Sequence, residues 1–389
     1  MLVYIRESEL VNVLEDVTEK DIPQELEDRL KEEKNLETIK RKERNEAHLY
    51  MNVNVFLEDM FEGYQGSDLC DPEKCIHRVF KVRKNMTLDK LVEEVAKTLG
   101  YPVEQIRLWP LQTRHNGTIR PSYLDLELNA TKSVIDASSQ SPWPIWVETL
   151  SAEESGEGIP GGGGKKPAAL PPFDKEGEVL FFFKLYEPKR QQMCYLGHAY
   201  LHMTETMEKI QELVNSRAGQ PLSTRLIPYE EVTANMVRAI HTGARTLHNA
   251  LENIMDGDIL IFQRDEDTSD LELPTVKDYF ADLATRVEVT FCDKTILNDQ
   301  GFTLEVSLKM TYDQMVGLVA QHLNTDKKLI QMFKVQAYKD TPGNPLPHNF
   351  EGTLKDILAV NNKSKMPKKI HYQKLSIPVV ELINKRPFK

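Results

Sequence analysis

At 389 residues the chain is long enough for roughly two to four domains, each able to bury its own core. An apolar fraction of 40% and a charged fraction of 28% are those of an ordinary globular protein, and a formal net charge of -11 argues against phosphate-backbone binding, which relies on lysine and arginine displacing counterions. Basic partners suit that charge better; the four cysteines form no even framework and read as reduced thiols of the nucleus or cytoplasm, and no apolar run approaches the ~20 residues of a membrane span.

Residues 1–17 hold one short apolar strand, Leu2-Val3-Tyr4-Ile5 at its centre, too short for a signal peptide and unable to make a core alone. Residues 18–47 read as a connector helix. Asp21-Ile22-Pro23 supplies an N-cap acid and a first-turn proline, and neither glycine nor a further proline occurs up to Ala47. Its apolar line, Ile22, Leu26, Leu30, Leu36 and Ile39, is thin, whereas Glu25 with Arg29, Glu27 with Lys31 and Glu37 with Arg41 stand at the i, i+4 spacing of a solvated helix. At 1.5 Å per residue about 26 residues reach about 39 Å. A coiled coil is the rival reading, against which the apolar positions drift and the heptads are few.

A threonine-led helix start then recurs three times, at Thr87, Thr206 and Thr311, each with an apolar residue four places on: Leu91, Ile210 and Met315. Each lies within the same order of strands, which marks an internal repeat. In residues 48–150 the alternating run Tyr50 to Leu57 and a strand from Ile76 to Val82 precede a helix capped by Thr87 and stopped by Gly100; Ile106 to Trp109 and Pro144 to Thr149 complete the unit. Residues 151–172 carry six glycines and four prolines and read as a flexible linker. In residues 173–272, strands at Val179 to Tyr186 and Gly197 to Met203 precede a helix from Thr206 to about Ala218, a short strand at Arg225 to Tyr229, and the turn Asp256-Gly257-Asp258 leading into Ile259 to Phe262. Residues 273–378 repeat the order, with Val287, Val289 and Phe291 alternating, Phe302 to Leu308 pairing, a helix from Thr311 to about Leu323, then Leu329 to Phe333, Gly352-Thr353-Leu354 and Lys369 to Leu375. Residues 379–389 read as the start of a further module.

This order of hairpin, threonine-started helix, short strand, Thr-Leu turn and last strand is the β-grasp plan of ubiquitin, so the expected class is α+β: three tandem ubiquitin-like modules preceded by a long charged helix. Longer strings carry the resemblance further: Met1-Leu2-Val3-Tyr4-Ile5-Arg6-Glu7, Arg41-Lys42-Glu43-Arg44, Glu46-Ala47-His48-Leu49-Tyr50, Gln105-Ile106-Arg107-Leu108-Trp109-Pro110, Met255-Asp256-Gly257-Asp258, Phe291-Cys292-Asp293-Lys294-Thr295 and Pro342-Gly343-Asn344-Pro345. Over nearly its whole length the chain resembles the herpesvirus-associated ubiquitin-specific proteases of the ubiquitin carboxyl-terminal hydrolase family. The resemblance implies that Met1 to Glu7 is the terminal strand of a cysteine-protease domain, that the charged helix is its exit, and that three of five ubiquitin-like modules follow. The family's catalytic cysteine and histidine boxes have no counterpart here, nor do its last two modules and activating tail, and the Gly161 to Gly164 linker with Lys165-Lys166 is longer than the family's join.

No catalytic, metal or cofactor site is expected. Cys292 precedes Asp293 with no histidine near in sequence, whereas a cysteine nucleophile needs a base and an orienting group; Cys194 and Cys292 read as core or edge residues. Cys70, Cys75 and His77 lack the second pair of a structural zinc site. Lys363, Lys365, Lys368 and Lys369 lack the interleaved aromatics of a nucleic-acid surface. The sharper candidate is acidic: Glu252, Asp256 and Asp258, with Asp265, Glu266, Asp267 and Asp270 beyond. By the resemblance, Glu252, Met255, Asp256 and Asp258 bind lysine-rich segments of partners such as a herpesviral ubiquitin ligase, GMP synthetase and chromatin proteins, with Met255 as an adaptable apolar contact; Asn253 departs from the pattern, standing where an acid is expected. The bland reading is a solvated Asp-Gly-Asp turn. The expectation is a non-catalytic docking and regulatory region of a nuclear and cytoplasmic deubiquitinase that also serves its own protease domain. The alternatives are a ubiquitin thiolesterase active by itself and a passive spacer array.

Overall fold

In the computed structural model, which describes residues 4–14, 23–150, 169–241, 245–336, 339–358 and 368–384, the first long element is the charged helix Gln24–Glu46. Pro23 occupies its N-cap position, where a missing N–H costs nothing, while Asp21, the expected cap, lies outside the described residues. Leu26, Leu30, Leu36 and Ile39 are all exposed. Glu27 pairs with Lys31 at 3.2 Å, and Arg29 reaches forward to Glu33 at 3.2 Å. Such pairs add only a few tenths of a kcal/mol each, so this helix rests on its run of strong helix formers. Only part of the strand expected upstream falls within the described residues. Residues 1–3 lie outside the described residues, and Tyr4–Arg6 are followed by the helical turns Glu7–Glu9 and Leu10–Val13.

Three five-stranded sheets follow. The first comprises β1 (Tyr50–Phe56), β2 (Arg78–Arg83), β3 (Ile106–Thr113), β4 (Ile119–Pro121) and β5 (Trp143–Thr149), in the order β2-β1-β5-β3-β4. The second comprises β6 (Glu178–Glu187), β7 (Gln192–His202), β8 (Leu226–Thr233), β9 (Met236–Ala239) and β10 (Asp258–Arg264), in the order β7-β6-β10-β8-β9. The third comprises β11 (Arg286–Asp293), β12 (Phe302–Ser307), β13 (Ile330–Gln336), β14 (Lys339–Pro345) and β15 (Lys368–Lys374), in the order β12-β11-β15-β13-β14. In each, the first strand pairs antiparallel with its hairpin partner and parallel with the last strand. These are three tandem ubiquitin-like modules of α+β class.

Each sheet carries one helix: Leu88–Leu99, Met207–Arg217 and Tyr312–His322. The apolar residues that recur at helical spacing, Leu91 and Val95, Ile210 and Val214, Met315 and Val319, enter the three separate cores. Burying a side chain of this size contributes about 1.5–3 kcal/mol. Gly100 ends the first helix in the left-handed region at φ +81, its N–H donating to Ala96 O. Thr206 and Thr311 cap with their side chains, the latter in a reciprocal box with Gln314. Thr87 occupies the same position without a side-chain cap bond.

What unites the three threonines is a backbone clamp. Thr87 bridges Ser133, Thr206 bridges Thr246, and Thr311 bridges Thr353, in each case the residue preceding a short helical turn. The turn's first two amides then donate back to the strand side: Val134 N to Met86 O and Ile135 N to Lys84 O, Leu247 N to Glu205 O and His248 N to Met203 O, Leu354 N to Met310 O and Lys355 N to Leu308 O. The repeated threonine lies at the centre of this clamp with extended backbone, a conformation that β-branched residues favour.

Some boundaries move. The hairpin partner in the first module starts at Arg78, leaving Ile76 exposed. β7 begins at Gln192, five residues before the expected start, because Gly197, at φ +88, is an interior bulge where the register shifts between Phe182 and Lys184. β4, β9 and β14 are short or rich in proline and glycine and give no alternating signal. The expected linker lies outside the described residues except for 169–172.

Two compact units result. One holds Met1–Leu57, Ile76–Gln112 and Tyr123–Pro171, the other Glu58–Cys75, Thr113–Ser122 and Pro172–Lys389. Thr311→Ala is expected to cost about 1 kcal/mol of stability in denaturant titration, whereas Thr87→Ala, which removes no cap bond, is expected to cost much less; equal losses would contradict the assignment of the caps.

Candidate functional site

Within the second unit, β6 is an almost continuous apolar strand interrupted by one cation, Lys184. Its Phe181, Phe183 and Leu185 face the helix of the second module, and its other face is covered as well. Phe182 meets Phe61 edge to face at 6.1 Å, and Tyr186 lies 5.0 Å from Tyr279. Lys184 is thereby 3% exposed. Its ammonium contacts Glu231 Oε2 on β8 at 3.0 Å and the carbonyl of Asp68.

Glu231 in turn meets Arg120 Nη2 at 3.1 Å and accepts the Asp68 N–H, while Ile119 N donates to Asp68 Oδ2 at 3.0 Å. Arg120 Nη2 also lies 3.1 Å from Asp68 Oδ1, an ion contact without hydrogen-bond alignment. Two cations and two carboxylates thus close a buried neutral cluster that fixes segments 58–75 and 113–122 on the sheet. Burial raises the Glu231 carboxyl, but Lys184 and Arg120 outweigh it and hold the group below the ordinary carboxylate value. Burial dominates at the other two groups, raising Asp68 and lowering Lys184. Arg120 keeps Nε and Nη1 without partners, a cost of about 1–3 kcal/mol per buried donor.

That anchorage positions the acidic turn at the start of β10. Gly257 N donates to Leu180 O at 2.8 Å, and Asp256 Oδ1 accepts the Leu180 N–H at 3.0 Å, so the turn caps β6. Asp258 Oδ2 accepts the Met255 N–H at 2.9 Å, and its Oδ1 meets Arg114 Nη1 at 2.6 Å. Arg114 Nη2 donates to the Asp256 carbonyl at 2.7 Å. Gly257 has φ +87, and a Cβ there would come within 2.6 Å of Pro121 O, so both backbone conformation and close approach demand glycine.

The four residues expected to form the site differ sharply in exposure. Asp258 is 6% exposed, against 55% for Met255. Asp256 is half-buried, and burial raises its carboxyl above the ordinary aspartate value despite the opposing Leu180 hydrogen bond. Glu252 is exposed and pairs with Arg238 Nη1 at 2.9 Å, while Arg238 Nη2 holds Glu230 at 2.6 Å. The turn is therefore not a freely solvated one. Nor do the two acidic stretches form one cluster, since Asp256 and Asp258 lie at the start of β10 and Asp265 follows its end, about 20 Å away at 3.3 Å per residue. Beyond it, Glu266 pairs with Lys189 at 3.4 Å and Asp267 accepts from Ser269.

The catalytic alternative meets its own geometry in the third module. Cys292 and His371 are register partners on β11 and β15. The cysteine is 3% exposed, and a Cβ on Gly301 would stand 2.9 Å from its sulfur, so neighbouring chain encloses the thiol. Asp299 Oδ2 accepts the Asp293 N–H at 2.6 Å, and that bond holds its carboxyl below the ordinary aspartate value, with His371 among the charges that act on it. None of Cys70, Cys75, Cys194 and Cys292 is joined in a disulfide. Among the described residues, no group of three or more metal-ligating side chains converges, and no helix is long and apolar enough to cross a membrane.

The chain is similar to known proteins over its whole length. The sequence profile of the ICP0-binding domain of Ubiquitin-specific protease 7 matches residues 106–358. The chain belongs to that family. Ubiquitin carboxyl-terminal hydrolase 7 of Drosophila melanogaster is 37% identical over 391 residues, covering 100% of this chain and 33% of that protein. Ubiquitin C-terminal hydrolase 13 of Arabidopsis thaliana is 29% identical over 395 residues, covering 98% of the chain and 34% of that protein, and ubiquitin carboxyl-terminal hydrolase 5 of Schizosaccharomyces pombe is 24% identical over 399 residues. The chain spans about a third of the length of these curated relatives. The stretch matching the ICP0-binding domain contains Arg114, Arg120, Lys184, Glu231 and the whole acidic turn.

The ion cluster was missed from the sequence, although one signal was present: a lysine inside Val179-Leu180-Phe181-Phe182-Phe183-Lys184-Leu185-Tyr186 must either break the strand or meet a buried acid. Glu231→Gln is expected to cost about 3–5 kcal/mol, as loss of one partner of a buried pair does, read as a lowered denaturant midpoint of the second unit. A loss below about 1 kcal/mol, the worth of a surface pair, would show that the cluster is not buried in solution.

Proposed function

We propose that the chain is a non-catalytic docking and regulatory region of a cysteine-type deubiquitinase, and that the acidic turn of its second module receives lysine-rich segments of partner proteins. The observation that carries this reading is the match to an ICP0-binding domain across a turn whose half-buried carboxylate, Asp256, is flanked by the exposed Met255 and Glu252. A carboxylate held in a partly desolvated place is stabilised by an arriving ammonium more than a solvated one is. Met255 offers an adaptable apolar contact to the stem of a lysine. Asn253 adds no charge, so the turn depends on fewer carboxylates than the sequence pattern of its family suggests. Partners of the ubiquitin pathway and of chromatin fit this chemistry, as does a role toward the protease domain of the same protein, in the nucleus and the cytoplasm.

Two measurements test it. In titration calorimetry with a synthetic peptide of alternating lysine and glycine, Asp256→Asn is expected to weaken binding about tenfold or more, the worth of one charge-assisted hydrogen bond; unchanged affinity would remove the turn as the receptor. The second is pH dependence. The ionised form of Asp256 binds the cation, and burial raises its pKa with Asp258 and Arg114 as the nearest charges, so affinity is expected to rise with pH through that raised pKa and level off above it. Binding in that window is expected to release a proton, and an affinity that falls as pH rises there would contradict the assignment.

A further inference from the structure

Both oxygens of Asp258 are in use. Oδ2 holds the Met255 N–H at 2.9 Å, and Oδ1 holds Arg114 Nη1 at 2.6 Å. The Asp258 side chain is only 8% exposed, so a cation from solution reaches that carboxylate only where the guanidinium now lies, and two cations there repel each other. The second arm of the same guanidinium occupies the Asp256 carbonyl at 2.7 Å. Arg114 therefore makes, from within the chain, the contacts that a basic side chain of a partner would make.

The backbone that presents Arg114 is fixed without that side chain. Arg114 N donates to Thr118 O at 2.8 Å and Gly117 N to Arg114 O at 2.9 Å, closing the turn after β3. Asn116 Nδ2 donates to Val232 O at 2.8 Å, and Arg120 is locked in the ion cluster. The guanidinium can consequently leave Asp258 by rotation of its own side chain, with its support undisturbed. Arg238 Nη1 pairs with Glu252 at 2.9 Å and leaves that side chain exposed. Asp256 Oδ2 is left as the least engaged carboxylate oxygen of the turn.

We propose that Arg114 is an internal occupant of the acidic turn, holding the position on Asp258 that a lysine or arginine of a partner would take, so that a basic segment engages the turn fully only when Arg114 swings out. The proposal rests on the reading of the turn as a receptor for lysine-rich segments and adds its regulation. An internal competitor lowers apparent affinity by the fraction of time the site stands open. It also sets a threshold on the partner: one lysine on Asp256 binds weakly, and a segment carrying several cations is needed to displace the guanidinium as well.

The test uses the full chain and the same lysine-glycine peptide. Arg114→Gln, with folding checked by circular dichroism and melting temperature, is expected to bind about 3–10-fold tighter than the wild type, the gain from opening a site closed most of the time. Arg114→Lys keeps the charge but cannot fork across Asp258 and the Asp256 carbonyl. It covers the case in which loss of charge unfolds the unit, and it too is expected to bind more tightly. Equal or weaker binding by the folded variants, while Asp256→Asn still weakens the wild type, refutes the internal occupant and leaves the receptor standing. If Asp256→Asn and Asp258→Asn leave peptide binding unchanged, the receptor reading falls and this inference with it.

Discussion

Lys184 is the constraint on which the second unit depends. A lysine in the middle of a strand covered on both faces has no route to water, so its charge must be met where it lies, and Glu231 on β8 meets it at 3.0 Å. One acid and one lysine would leave lone pairs over. The sheet accommodates them by drawing in Arg120 and Asp68 from two segments that lie early in the chain. The net charge of the four is zero, and the cost of leaving two Arg120 donors unpaired is offset by the contacts the segments bring with them. Phe61 on Phe182 is one such contact, and Tyr279, which packs on Tyr186, donates its hydroxyl hydrogen to Gln65 O at 2.6 Å.

The acidic turn inherits its character from that arrangement. Pro121 directly follows Arg120, and its carbonyl leaves no room for a side chain at Gly257. Arg114 comes from the same short segment and reaches the turn from there. The carboxylates at 256 and 258 are thus not the ornaments of a loose loop. One caps β6, and the other is neutralised from inside. Exposure belongs to the flanks, Glu252 and Met255. If the turn receives basic segments as proposed, recognition would proceed by exchange of cations on a preorganised backbone and would be fast and salt-sensitive.

The fold was largely legible in the sequence because its determinants are local. The three threonines mark the clamps, Gly100 stops a helix in the left-handed region, and the apolar spacing of Leu91 with Val95 and of Met315 with Val319 gives the helix faces. What was not legible was set by distant partners. β4, β9 and β14 exist because a neighbouring strand offers unpaired groups, and Gly197 lies inside β7 because the bulge opposite Phe182 to Lys184 needs it. The geometry of the candidate turn was legible in part. Asp256-Gly257-Asp258 announced a turn with carboxylates, but Arg114 stands more than 140 positions away in sequence from Asp258, at a separation of 144, and nothing local told that it is seated there. The length of β10, which parts the acids at 252–258 from those at 265–270, likewise follows only from the strand register.

The central claim is that a specific turn, and not the diffuse negative charge of the chain, receives basic partners. Amide chemical-shift mapping of the isotope-labelled chain during titration with the lysine-glycine peptide tests it most directly. The account predicts shifts concentrated at Leu180, Met255, Gly257 and Asp258, with the side-chain Nε–H of Arg114 moving alongside them. Shifts centred on the acidic loop from Asp265 to Asp270, or spread evenly over the carboxylates, with the turn unmoved, would contradict it.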